Sequence, residues 1–197
     1  MQQYEKDFAE WEKMQEIAYG VLNAQPAAYI AAIQETNPFS DIAELGSAIE
    51  CRTDSDWYIE ALLHVNGEQV VPSEVKSLLQ SGRLSTKKMP KGQFYELYQD
   101  HICSCVIRVA RELFALLPVQ MVFVHAISER VNPQTGYKDN QTVLSVAIPR
   151  DTLMSLNFET IDCSDAMKNF VHRMGFSKTK GFSTVEALKP HDFRPKF

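Results

Sequence analysis

Apolar side chains recur at three- and four-residue steps from the start of the chain. Tyr4, Phe8, Trp11, Gln15, Ala18 and Leu22 fall on one line, with Ile17 and Val21 beside it, and predict an amphipathic helix over 4–24. Pro26 fits the first turn of a second helix, 26–36, where its missing N–H costs nothing. Asn37-Pro38 ends that helix, because a residue before proline avoids the α region. Ser40 or Asp41 caps a third, short helix over 39–45 that Gly46 stops.

From residue 47 the period drops to two. Residues 47–52 and 57–65 predict two strands joined by Thr53-Asp54-Ser55-Asp56. A register pairing Cys51 with Trp57 puts Ile49 and Cys51 on one apolar face with Ile59, Ala61 and Leu63, whereas a one-residue slip would turn Glu50 and Arg52 inward. Asn66-Gly67 signals a tight turn. Val71, Val75, Leu78 and Leu79 predict a short helix over 73–80 ended by Gly82, and 83–89 a polar edge strand guarded by lysines. Residues 93–117 predict a long helix that is apolar nearly all round, with a narrow polar stripe of Asp100, Ser104, Arg108 and Arg111, which places it inside the domain.

The apolar run over 119–128 predicts a strand covered on both faces. A turn at 132–136 leads to a hairpin partner over 142–148. A short helix over 152–156 follows, and a further one from Asp162 or Ser164 to about 174. The last twenty residues are basic and irregular. These elements predict an α+β (mixed α/β) fold in three parts: a helical arm, 1–45; a core, 46–176, with a single mixed β-sheet packed on a long buried central helix; and an irregular basic tail, 177–197.

Hydrophobic residues make up 45% of the 197 positions, enough for a real core, so the chain as a whole is not disordered. No apolar run is long enough to span a membrane, and the acidic start is no export signal. Cys51, Cys103, Cys105 and Cys163 match neither a disulfide framework nor a CxxC pair, and with no export signal they predict free thiols in a reducing cytoplasm. The net charge of −5 argues against a protein that coats nucleic acid, but it is unevenly spread. Residues 1–60 hold twelve Asp or Glu against three Lys or Arg, and residues 61–197 hold thirteen against seventeen. An acidic front (−9) is thus joined to a mildly basic body (+4), a distribution suited to docking within or between molecules.

Several side-chain groups invite a chemical reading. Asp54 and Asp56, followed by Glu74-Val75-Lys76, resemble the acid…Glu-x-Lys pattern of Mg²⁺-dependent restriction-type nucleases. There two carboxylates hold the metal and a lysine activates water. The competing reading of Glu74 is a capped, solvent-facing helix start. Glu50, Arg52, Glu60 and His64 line the polar face of the first hairpin, and His125 interrupts an apolar strand, so together they are candidates for a small-ligand site. Cross-strand charge pairs and a satisfied core histidine explain the same residues more simply. Arg83, Lys87, Lys88 and Lys91, followed by Phe94 and Tyr95, can hold single-stranded nucleic acid, against the simpler role of protecting an edge strand. His101, Cys103 and Cys105 lack the spacing of a zinc site. No metal or other cofactor is therefore expected outside the nuclease reading.

Three stretches, EVKSLLQSGRLSTKKMPKGQFYELYQDHICSCVIRVARELFALLP, TVLSVAIPRDTL and LNFETIDCSDAMKNFVHRMGFSKTKGF, resemble the C-terminal region of bacterial proteins of unknown function. Those proteins usually begin with a small basic β-rich module and continue through a helical linker. The resemblance covers residues 40–188. It implies a bacterial cytoplasmic protein, here either the C-terminal portion of such a chain or a free-standing relative, and supplies no catalytic residues. The leading expectation is a non-enzymatic interaction or regulatory domain, contacting a protein partner or itself through residues 1–45, where Trp11, Tyr19 and Tyr29 are available for docking. The nuclease and the small-ligand binder are the alternatives.

Overall fold

The computed structural model describes residues 2–44, 48–65, 67–132 and 134–193. Three helices lead the chain: α1 (Gln2–Leu22), α2 (Pro26–Thr36) and α3 (Ser40–Glu44). Gly46 and Asn66, read as a helix stop and a turn, lie outside the described residues. Then come β1 (Ala48–Arg52), β2 (Tyr58–His64), β3 (Glu74–Leu78), β4 (Leu84–Lys88), the long helix α4 (Lys91–Leu116), β5 (Met121–Val131) and β6 (Lys138–Pro149). Helices α5 (Arg150–Met154) and α6 (Cys163–Ala166) precede β7 (Val171–Ser177) and β8 (Gly181–Ser183). No helix among them is long and apolar enough to cross a membrane.

The fold is α+β: a mixed sheet ordered β1-β2-β5-β6-β7-β8, packed against the central helix. Only β2 and β5 pair in parallel, and α4 supplies the crossover that such a pair requires. One face of the sheet, with Ile59, Ala61, Val122, Val124, Val146 and Ile148, joins the cluster that contains Ile102, Val106, Val109 and Leu113 of α4. The predicted polar stripe of that helix is its exposed side at Ser104, Arg108 and Arg111. At the C-terminal end of α4 the Arg150 guanidinium donates to the carbonyls of Phe114 (3.0 Å), Leu117 and Val119 (2.8 Å). It satisfies acceptors that a helix end leaves without partners, and it lies 4.7 Å above the Phe114 ring.

Five expectations change. First, residues 73–80 are not a helix. Glu74 to Leu78 form β3, which pairs with β4 in a separate two-stranded sheet, register Glu74↔Lys88 to Leu78↔Leu84. Gly82 is the turn residue of this hairpin, at φ +77°, a left-handed conformation that side chains disfavour. Second, the helix from Asp162 stops early. Asp162 does cap α6, accepting from the Asp165 N–H, but residues 171–177 extend the sheet beside β6.

Third, Cys51 pairs with Ala61, not Trp57. The four-residue difference preserves which face each side chain occupies. Trp57 instead accepts hydrogen bonds at its carbonyl from the Gln120 and Met121 amides, which ties it to the start of β5. Fourth, the arm is shorter than 1–45. Tyr29, Phe39 and Ile42 are buried in the main core, so α2 and α3 belong to the body. The projecting part is α1, whose residues 3–16 are all exposed. Nor is 177–193 a loose tail: it forms β8 and then crosses the other face of the sheet, where Leu188 and Phe193 pack on Phe123 and Tyr58.

Candidate functional site

Two features stand out, a buried polar row on the sheet and the bare face of α1. The row runs across β2, β5 and β6. Glu60, His125 and Ser145 occupy the face opposite α4, and register places His125 beside Ser145. All three are nearly or fully buried, Ser145 at 0% exposure. His125 Nε2 lies 3.3 Å from Glu60 Oε1, and Nδ1 lies 2.8 Å from Ser145 Oγ. Arg52 Nε donates to Glu60 Oε2 at 3.0 Å. The Leu188 amide donates to Ser145 Oγ at 2.8 Å.

Burial by itself would raise the Glu60 carboxyl, but hydrogen bonds from His125 and Arg52 and the Arg52 charge outweigh it and hold the group below its ordinary value. The carboxylate only accepts, so the Nε2–H of His125 faces it. Nδ1 and Ser145 Oγ share a hydrogen bond, and Ser145 Oγ also accepts from the Leu188 N–H. Serine, imidazole and carboxylate are the groups of a nucleophilic triad, but this serine is fully buried under Leu188, whose amide donates to its Oγ. The row therefore clamps residues 184–193 onto the sheet. Over it lies a cleft of about 610 Å³ lined by Arg52, Glu60, Glu186, Leu188, Lys189 and His191.

The other polar residues of the first hairpin stand apart. Glu50 is exposed and lies 3.6 Å from His64 on the edge pair β1–β2, an ordinary cross-strand pair. The ligand set Glu50, Arg52, Glu60, His64 and His125 thus divides into a solvated pair and a buried row.

The nuclease set is not assembled. Glu74 and Lys76 do lie on a strand, as that motif requires, but the aspartates are elsewhere. Asp54 accepts the Tyr58 hydroxyl at 2.5 Å, and burial plus Asp54 push that phenol up to about 12. The carbonyl of Asp56 accepts from Tyr29. The loop carrying both aspartates adjoins the start of β5, just beyond the C-terminal end of α4, whereas β3–β4 leads into the N-terminal end. A 26-residue helix separates those ends by ~39 Å. Among the described residues no group of three or more His, Cys, Asp or Glu is placed to hold a metal. His101 and Cys105 are 3.9 Å apart on α4, and burial pushes the Cys105 thiol up and the His101 ring down.

Arg83, Lys87, Lys88 and Lys91 are all exposed on or beside the β3–β4 hairpin. They share it with bare leucines: Leu78 is 75% exposed and Leu84, its register partner, 63%.

The second feature is α1. Tyr4, Phe8 and Trp11 are 72%, 45% and 53% exposed; Tyr4 stacks on Phe8 at 6.2 Å between ring centroids, and Phe8 lies tilted against Trp11 at 5.6 Å. The helix meets the body by its opposite side. Gly20 approaches α2 so closely that a Cβ there would stand 2.5 Å from that of Ala28, and Lys13 pairs with Glu35. Ile17 and Val21 pack on the core from this side. An apolar groove of about 310 Å³ continues the bare face past Met14, Ala18 and Leu22 to Ala32 and Leu116.

No family model, curated protein or solved structure matches the chain.

Proposed function

We propose that the protein is an interaction domain whose docking surface is the aromatic face of α1, held out by a rigid α+β body. One observation carries this reading. A 21-residue helix exposes every residue from 3 to 16, and its aromatic side points away from α2, on which it packs. A helical segment of that length is marginal in water by itself. A contiguous exposed apolar face on a folded protein marks an interaction site. Aromatic anchors of this type dominate binding energy at interfaces. The bacterial, cytoplasmic setting implied by the sequence resemblance is part of the same proposal.

The small-ligand reading finds support in the cleft beside Glu60, but it is weaker. Glu60 and His125 already satisfy each other, and Arg52 is committed to Glu60.

The test places a photo-cross-linking residue at Trp11 in the full chain, within extract of the cell that makes it. Covalent protein adducts are expected from position 11 and not from a control on the exposed polar stripe of α4, at Arg108. Absence of adducts from position 11 contradicts the reading.

A further inference from the structure

The chain has two projections, and each fits the other better than it fits itself. Residues 2–22 carry five acidic side chains and two lysines. At 100° per residue, Glu5, Asp7 and Glu12 flank the Tyr4–Phe8–Trp11 line, while Lys6 and Lys13 fall on the back. Two such helices face to face would set these carboxylates against their own copies, a like-charge arrangement that opposes pairing.

The β3–β4 hairpin is the reverse in charge. Residues 74–91 hold Lys76, Arg83, Lys87, Lys88 and Lys91 against Glu74 alone, a net +4 that matches the whole excess of residues 61–197. Its leucines Leu78 and Leu84 oppose each other across the strands, and alternation puts Lys76 and Lys88 on that same face, with Glu74 as its one carboxylate. The hairpin forms its own sheet and leaves those leucines bare. Edge-to-edge pairing of two hairpins would bring lysine to lysine.

Within one chain the two are not in contact. The root of α1 lies beside Leu116 at the C-terminal end of α4, and the hairpin adjoins the N-terminal end, a helix length of ~39 Å away. Both faces are exposed.

Building on the docking role of α1, we propose that its acidic aromatic face seats on the basic leucine face of the β3–β4 hairpin in a second copy of this chain. The aromatic line covers Leu78 and Leu84, and Glu5, Asp7 and Glu12 meet Lys76 and Lys88. The contact joins different surfaces of the two copies. It closes when two copies exchange arms and otherwise propagates head to tail.

Charge exchange tests it, by sedimentation velocity of the full chain over a concentration series. One variant reverses the arm (Glu5→Lys, Asp7→Lys, Glu12→Lys) and another the hairpin (Lys76→Glu, Lys88→Glu). A third, Leu78→Ser with Leu84→Ser, keeps the charge. Wild type is expected to self-associate, and more weakly as salt rises to ~0.5 M. Each variant alone should associate at least tenfold more weakly. An equimolar mixture of the two charge-reversed chains should regain association, since each then offers the other a complementary face; that recovery also shows both are folded. A monomeric wild type, a hairpin variant that associates like wild type, or a mixture that stays monomeric overturns the proposal. Cross-links from position 11 to a different protein, with a monomeric wild type, would leave the docking role of α1 intact and remove only the second copy.

Discussion

Ser145 shows how much depends on a single hydroxyl. It bonds to His125 Nδ1 and accepts from the Leu188 amide, so Ser145→Ala leaves two buried groups unpaired. The expected loss is ~1–3 kcal/mol in urea unfolding, with faster proteolysis at residues 184–193. An unchanged midpoint would mean the row does not hold the segment. Glu60 adds a pH dependence. Its carboxyl is held below the ordinary value in the folded chain, so the unfolded state binds the extra proton and stability rises with pH. That contribution is complete above the unfolded value of ~4.3 and is lost as pH falls through the folded one. Glu60→Gln should flatten the acid limb of a stability-against-pH curve, and an identical limb in the variant would contradict the assignment. His125 was visible in the sequence as a polar residue in an apolar strand. Ser145, equally isolated in the next strand, carried the same signal, but only the β5–β6 register brings the two together.

At the scale of elements, the long helix and the β5–β6 hairpin were legible because their apolar patterns are long and unambiguous. Leu113, fully buried on α4, should cost ~2–5 kcal/mol when replaced by Ala. Arg150 was not legible. It follows the strand over 142–148 with no pattern of its own, yet it reaches back to three carbonyls at and just past the end of α4. Arg150→Lys should destabilise nearly as much as Arg150→Ala, ~1.5–3 kcal/mol by thermal or urea unfolding, because an ammonium cannot reproduce the planar fork. Full rescue by lysine would show that charge alone suffices. Residues 73–80 misled because Val75, Leu78 and Leu79 fit a helical step as well as a short strand, and Gly82 suits a helix stop or a hairpin turn. The ambiguity is one of length: five residues cannot distinguish the two periods. For β7 the decisive factor was tertiary, since the open edge of β6 supplies the pairing that the local sequence does not announce.

Over the whole molecule the meaning of the N-terminal charge changes. The sequence showed an acidic front of sixty residues, but burial of Tyr29, Phe39 and Ile42 returns α2 and α3 to the body and leaves α1 as the projecting part. Truncation of 1–45 would therefore remove core and confuse unfolding with lost binding, whereas changes on the bare face of α1 separate them. Gly20→Val tests the root of the arm: its side chain has no room against Ala28, so α1 should lift from α2 and amide exchange should quicken over 17–22 while α4 stays protected. Protection over 17–22 equal to wild type would show that α1 is held by something other than this contact. The most direct measurement of the docking role is the native size of the full chain in extract of its own cell, compared with that of Phe8→Ser with Trp11→Ser. Wild type is predicted to run in an assembly larger than the monomer and the variant, with unchanged circular dichroism, as a monomer. Two monomers, or two assemblies of equal size, would contradict it.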